Sequence, residues 1–493
     1  MKTPSRLPRP FAVILLAGAI AFGATGLTGC STNPATGQQV FTLMSPEEER
    51  KVGASEHPKI LAEFGGAYDD QAIQAYVSQL GARLVANSEQ AGLPFRFTVL
   101  DSPMVNAFAL PGGYVYVTRG LMALAESEAE LAGVVGHEIG HVTARHGAQQ
   151  QGRAVGVELI AGLLGVLSGN SGVAQAGSAI GGLYLRSYSR EQEFEADSLG
   201  LRYLTRDGYD PGAMASFLTK LRDKSKLDAA ILGSAADPDE FSLLSTHPRT
   251  IDRVKEAAAA ATGTGPSGGR VEREGYLRRL DGMIYGDSPE QGYVRGRRFV
   301  HPTLRFEFAV PPGYVLVNGT SAVKARAPDG SVIIFDSAKP ESRAAMRAYV
   351  QRRWGARLAL ADLTDIEVNG MPGATGVTRI RTDSGPVDLR LVAIDGGGAI
   401  YRFVFATPSD STARQTEALQ RTTFSFRRIS EAEAAREHPL RLRIHTVRPG
   451  DTVARLARWM PEGPQAEARF RVLNGLAPDE EPAPGSLVKY ASY

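Results

Sequence analysis

The sequence predicts a multidomain chain: a mainly α-helical domain carrying a small β hairpin, then an α+β domain, then a small C-terminal module. Three observations predict this. Helical periodicity dominates from Pro46 to about Ala261, a Gly/Ser/Pro-rich stretch at 262–269 interrupts it, and beyond that stretch the apolar period falls toward two. The 493 residues leave room for two or three domains, and 43% hydrophobic with 22% charged residues suits chains that bury cores. The formal charge of +2 is spread along the chain rather than concentrated, so no nucleic-acid partner is expected.

The first thirty residues stand apart. Lys2, Arg6 and Arg9 precede an apolar run from Phe11 to Gly26, which is the pattern of a secretory signal at 1–29 and is too short and too rich in Gly and Ala for a membrane span. The run ends in Leu27-Thr28-Gly29-Cys30, which resembles a bacterial lipobox, so Cys30 is the expected lipidation site. It is the only cysteine, and an internal disulfide is therefore excluded. Ser31 after it, rather than Asp, resembles the lipoproteins of the outer membrane. Residues 30–45 are polar and turn-rich and read as a tether.

The helical domain, 46–261, holds one β-like stretch. Phe95–Leu100, then Ala107–Leu110, a Pro111-Gly112-Gly113 turn and Tyr114–Val117 alternate as a hairpin does. Just after it comes His137-Glu138-Ile139-Gly140-His141. On a helix, positions i and i+4 share a face, so two imidazoles can hold one Zn²⁺ while Glu138 reaches a bound water. Ser127 and Glu130 have capping-box spacing, Leu131, Val134, Val135 and Val142 supply an apolar face, and Gly147 can end the helix. Catalytic zinc needs a third ligand. Glu191-Gln192-Glu193-Phe194-Glu195-Ala196-Asp197 offers Glu193 and Asp197 four apart on one face: one can bind the metal, and the other can accept a hydrogen bond from a ligand histidine.

These motifs, with Asn106–Leu121 before them and Gly208-Tyr209-Asp210-Pro211, Thr246-His247-Pro248 and Arg253 after, resemble the zinc endopeptidase family of the CaaX prenyl proteases and HtpX, most closely its soluble periplasmic, BepA-like branch. The resemblance covers roughly 45–260. It implies a zincin fold of gluzincin type and one Zn²⁺ per chain. Its implied ligands are His137, His141 and Glu193, with Glu138 as general base and Asp197 holding a ligand histidine. His247 and Arg253 are the candidate donors to the developing oxyanion, and His247 is alternatively a fourth ligand that keeps the enzyme off. Asn106, Ala107 and Phe108 are candidates for an edge strand that holds substrate by backbone pairing. His57, which precedes a proline, reads as structural, and His146, about 140° around the helix from His141, reads as a surface or dipole-facing residue. The apolar run Ala154–Leu167 reads as a buried helix.

After the 262–269 linker, residues 270–430 read as an α+β domain with no catalytic constellation and a structural His301. Its expected strands include Leu304–Phe308, Val332–Phe335, Val387–Val392 and Ile400–Phe405, and its expected helices Ser342–Leu358 and Ser411–Gln420. The tail, 438–493, carries Val447-Arg448-Pro449-Gly450-Asp451-Thr452 and Leu473-Asn474-Gly475-Leu476 and resembles a LysM module of βααβ form, which implies peptidoglycan as a partner. The expected function is a lipid-anchored zinc endopeptidase on the periplasmic face of the outer membrane, acting on unfolded or misassembled envelope proteins. The competing expectation is a glycan-binding or chaperone-like lipoprotein whose protease site is latent.

Overall fold

The computed structural model describes residues 30–493 apart from 43, 151–187, 233–246, 248–251, 254–255, 258, 260–267, 320, 341–344, 383–384, 462 and 464. The signal segment, the Ala154–Leu167 run, Thr246, Pro248 and most of the linker lie outside the described residues.

The chain opens with a two-stranded hairpin, β1 (Cys30–Thr32) and β2 (Gln39–Phe41), followed by helices α1 (Pro46–Glu63) and α2 (Gln71–Ala86). The expected tether is thus ordered and docked: Asn33 and Thr42 are buried. Helix α1 begins at a Ser45/Glu48 capping box. Strands β3 (Arg96–Leu100), β4 (Ala107–Leu110) and β5 (Tyr114–Thr118) form a three-stranded sheet in the order β3-β5-β4. The β4–β5 hairpin is the expected one, and β3 adds in parallel to β5. His57 is structural as expected, its Nδ1 2.7 Å from the Tyr116 hydroxyl.

A short helix, α3 (Arg119–Leu124), leads into α4 (Glu128–Thr143), which carries the HExxH residues and is buried on every side from Ala129 to Thr143. A helix surrounded in this way forms the centre of a domain rather than an amphipathic face. Ser127 caps it by accepting from Glu130 N. The reciprocal half of the expected box is absent, because Glu130 turns to Glu126 N, Ser216 and Lys220 instead. The helix ends at Thr143, and the left-handed residue beyond it is Arg145, φ 60°, not Gly147.

Helix α5 (Arg190–Arg206) crosses α4 at very close range, and α6 (Gly212–Leu232) packs behind. Glycine permits that approach. A Cβ on Gly200 would stand 2.7 Å from His137 N, and one on Gly140 would stand 3.0 Å from Ala196 O. The contact sets the two halves of the site against each other.

The domain boundary differs from the one expected. Helix α7 (Arg273–Leu280) and strand β6 (Ile284–Tyr285) lie after the linker, yet Tyr276, Leu277, Leu280 and Met283 belong to the core of the helical domain. Strand β6 also pairs with the tail. The β-rich domain proper starts near Tyr293. Its four-stranded sheet joins β7 (Tyr293–Arg295), β8 (Arg298–His301), β9 (Phe306–Ala309) and β17 (Arg427–Arg428). Its seven-stranded sheet runs β10 (Val315–Asn318), β11 (Val323–Arg326), β12 (Val332–Ala338), β16 (Ile400–Pro408), β15 (Gly385–Asp395), β14 (Met371–Thr382), β13 (Ala361–Val368). Phe299, Phe306 and Phe308 from the smaller sheet meet Phe335, Phe403 and Phe405 from the larger in one core, with α8 (Thr412–Ser425) packed alongside. The expected Ser342–Leu358 helix is shorter than its pattern, a turn at Met346–Tyr349 continuing as a π-helical turn to Trp354. Burial pushes His301 down to about 4, which suits a neutral, structural ring.

The tail has strands β18 (Leu440–Thr446) and β19 (Leu487–Ser492) enclosing Val453–Leu456 and α9 (Ala466–Leu473). It is not a separate body. Leu442, Leu456, Phe470 and Leu487 share one core with the helical domain. Fully buried Lys489 donates to the carbonyls of Ala123 and Ala125 at 2.8 and 2.7 Å, at the end of α3, and faces Glu126 just before α4. A lysine at a helix C-terminus answers its unpaired carbonyls. Asn474 in turn holds Lys489 through both backbone groups. Among the described residues no helix is long and apolar enough to cross a membrane.

Candidate metal centre

His137 and His141 project from one face of α4, and α5 presents Glu193 toward them. Ser189 and Gln192 form a reciprocal capping box, so the first turn of α5, with Glu193 in it, is fixed in orientation. His141 Nε2 lies 2.9 Å from His137 Nε2 and 3.5 Å from Glu193 Oε1. His247, from outside both helices, joins them: its Nδ1 is 3.2 Å from His137 Nε2 and 2.9 Å from Glu193 Oε1. A tetrahedron with Zn–N and Zn–O bonds near 2.0–2.1 Å has edges of about 3.3 Å, so these separations fit one small ion held by His137, His141, Glu193 and His247. All four are buried.

Electrostatics match that use. Burial pushes His141 well below the usual histidine range and so keeps its ring neutral, the form that coordinates a metal. Burial works against ionisation of Glu193, but His247, His141 and Arg253 outweigh it and hold the carboxyl well below its ordinary range. Burial lowers His247, yet the Glu193 and Glu138 carboxylates outweigh it and raise the ring above its ordinary value. A divalent ion would take the place of that proton.

Glu138 is fully buried, and neither of its oxygens has a hydrogen-bond partner among the described residues. His247 Nε2 is likewise unpartnered, 3.6 Å from Glu138 Oε1. A cavity of about 20 Å³ adjoins both residues, room for a water molecule. Burial pushes the Glu138 carboxyl up, toward the range in which it can both take and return a proton.

Asp197 accepts from His137 Nδ1 at 2.8 Å and thereby turns Nε2 toward the ligand cluster. Burial opposes its ionisation, but Arg253 and His137 together hold it well below the carboxylate range. Arg253 differs from the expectation of an oxyanion donor. Its Nε and Nη2 each lie 2.7 Å from Asp197, and Nη1 is 2.7 Å from Glu193 Oε2, so the guanidinium braces the two carboxylates. Asn106, Ala107 and Phe108 lie on and beside β4, at the edge of its sheet and buried.

His146 overturns its expected surface position. It is fully buried, with Nδ1 2.8 Å from His141 Nδ1 and Nε2 3.2 Å from Glu195 Oε2. The helix ends at Thr143, so the helical angle from His141 does not carry on to His146. Tyr188 stacks on the His141 ring at 4.0 Å, and Asn33 binds Glu195. His146 reaches the site through a turn and Asn33 from a distant segment, which no local periodicity marks.

Residues 71–261 match the sequence model of peptidase family M48. M48 peptidases are zinc-dependent, and the buried His/His/Glu group is able to hold one such ion. The chain is 35% identical over 257 residues to the beta-barrel assembly-enhancing protease of Yersinia pestis, covering 50% of this chain and 51% of that protein. The corresponding protease of Escherichia coli (strain K12) is 30% identical over the same shares. The mitochondrial metalloendopeptidase OMA1 of Arabidopsis thaliana is 35% identical over 193 residues, 39% of this chain and 37% of that one. The chain spans about half the length of the curated beta-barrel assembly-enhancing proteases it matches. The M48 segment ends short of the β-rich domain and the tail.

Proposed function

We propose that this chain is a zinc endopeptidase that cleaves misfolded or misassembled proteins of the bacterial cell envelope, held at the periplasmic face of the outer membrane by lipid on Cys30. The observation that carries the reading is the four converging donor atoms beside an unpartnered, buried Glu138. A bound zinc would polarise the scissile carbonyl and acidify water. Glu138 takes the proton of the attacking water and passes it to the leaving amine. Asp197, braced by Arg253, keeps His137 in the coordinating tautomer. β4 is the edge strand of its sheet but is buried, so an extended substrate would pair with it only once that edge is uncovered. The names of the relatives, a protease that enhances barrel assembly and a metalloendopeptidase, support an envelope protein as substrate. Loss of turnover in Glu138→Gln is the deciding experiment.

His247 supplies a fourth donor and so fills the position that a reacting water needs. The site is accordingly read as closed until His247 withdraws. His247→Ala is expected to raise hydrolysis of an unfolded test protein with zinc content largely kept. A fall in kcat with KM and zinc unchanged would assign His247 to oxyanion stabilisation instead.

Two attachments complete the reading. Cys30→Ser is expected to abolish lipid labelling and leave the precursor uncut; a labelled, processed variant would remove the anchor from the reading. The tail carries an aromatic face in which Trp459, 38% exposed, lies 4.8 Å from His445 and 5.0 Å from Tyr490. Stacking faces of this kind suit sugar rings. Full-length Trp459→Ala is expected to be retained less on peptidoglycan, and unchanged retention would exclude this face. The full chain is the proper test, because the tail shares its core with the helical domain.

A further inference from the structure

We propose that the N-terminal hairpin is a working part of the metal site: Asn33 and Glu195 fix His146, and His146 fixes the ring of His141. The inference rests on the reading of His141 as a zinc ligand.

The two ligand histidines are supported differently. His137 is oriented by Asp197, and Asp197 by Arg253, all within the helical body. His141 turns Nε2 to the ligand cluster, so its Nδ1–H needs an acceptor. The atom that meets it is another imidazole nitrogen, His146 Nδ1, at 2.8 Å. Only one of two facing nitrogens can carry the proton, and Glu195 decides which. Ionised Glu195 can only accept, so His146 Nε2 donates to Oε2 at 3.2 Å. In neutral His146, Nδ1 is then the acceptor, and His141 Nδ1 is the donor. The direction of the whole relay follows from the carboxylate at its end.

Glu195 is itself held from outside its helix. Its other oxygen, Oε1, accepts from Asn33 Nδ2 at 2.6 Å. Asn33 is 1% exposed at the turn of the β1–β2 hairpin. Its own carbonyl groups fasten that turn: Oδ1 accepts from Ala35 N at 2.9 Å, and the backbone oxygen from Gly37 N at 2.8 Å. A second clamp secures the far end of the segment. Arg145, one residue before His146, donates from Nη2 to Met44 O at 2.6 Å and from Nε to Glu49 at 2.8 Å. Glu195 on α5 and Arg145 just past α4 therefore grip the segment that follows Cys30 near its two ends.

Zinc affinity and hairpin docking are consequently linked. Whatever pulls the hairpin away loosens His141, and a bound ion tightens the hairpin by the same factor. The hairpin begins at Cys30, so the segment that would bear the anchor is also one that shapes the metal site.

The test uses full-length protein, a competing chromophoric chelator to read zinc affinity, and amide exchange of residues 31–42 with and without zinc. His146→Ala and Asn33→Ala are each expected to weaken zinc by about 10- to 100-fold, the usual cost of losing a ligand's outer partner. The double variant is expected to lose no more than His146→Ala alone, because both act through one relay. A residue that merely supports the fold would add its cost. Zinc is expected to slow exchange of the hairpin amides in the unsubstituted chain, a readout that needs no variant to fold. Wild-type zinc affinity in folded Asn33→Ala and His146→Ala, or exchange indifferent to zinc, overturns the proposal. His141→Ala separates the two levels: if it too keeps zinc, the reading of the metal site fails, and if it alone loses zinc, only the relay fails.

Discussion

Glu138→Gln is expected to bind about one zinc per chain and to lose turnover on an unfolded protein by about 10²- to 10⁴-fold, the range that a general acid–base contributes. In barrier height that is about 3–5 kcal/mol at 1.36 kcal/mol per decade. The substitution isolates chemistry from structure for a reason visible at the site. Both oxygens of Glu138 lack partners among the described residues, so an amide of the same shape breaks no hydrogen bond there. Glu138 is not among the four residues whose donor atoms converge, so the metal should stay. Burial already opposes its charge, so removal of that charge should not lower the denaturation midpoint. Metal content, midpoint and single-turnover cleavage measured together check all three statements. Cleavage at the unsubstituted rate would sink the mechanism and favour a binding or chaperone role with a latent site.

The second large effect separates two glutamates that stand two residues apart. Glu193→Ala is expected to lose more zinc affinity than the 10- to 100-fold that removal of an outer partner costs, because it deletes one of the four converging donor atoms proposed to bind the ion. Glu195→Ala, which removes the acceptor of His146 and of Asn33 but none of the converging donor atoms, is expected to stay within that range. The Glu193 site should still fold, since Arg253 keeps both bonds to Asp197. Glu193→Gln preserves volume and serves where the alanine variant is unstable. Metal content by mass spectrometry under native conditions, with competition titration, gives the order. A reversed order would mean that α5 presents the other carboxylate.

Much of the site was legible because its chemistry sits in local spacing. His137, Glu138 and His141 need only a helix to converge, and the Ser127 cap with an apolar run announces one. Glu193 and Asp197 share a face at i, i+4 by the same geometry. The resemblance to the prenyl-protease family adds the assignment between them and brings in His247 from far along the chain. The β4–β5 hairpin shows itself through alternation around Pro111-Gly112-Gly113, and Ile400–Phe405 lies in β16 for the same reason.

What only the tertiary structure decided concerns contacts between segments that no period connects. The close crossing of α4 and α5 depends on Gly140 and Gly200 meeting opposite backbone, and a glycine in sequence does not say what it faces. His146 looked peripheral because helical angles were carried past Thr143, where the helix stops and a left-handed Arg145 turns the chain inward. The segment at 30–45 looks like a tether because it is polar, yet Asn33 turns that polarity to the half-buried carboxylate of Glu195. The linker at 262–269 marked a change of composition, but not the end of the core. Tyr276 and Leu277 beyond it, and Lys489 near the C-terminus, pack against the elements that lead into the zinc helix. Local sequence determines which side chains can do chemistry, because period and capping act over a few residues. Which distant segments hold those side chains in place is decided by burial summed over the whole chain, and that sum exists only in the folded molecule.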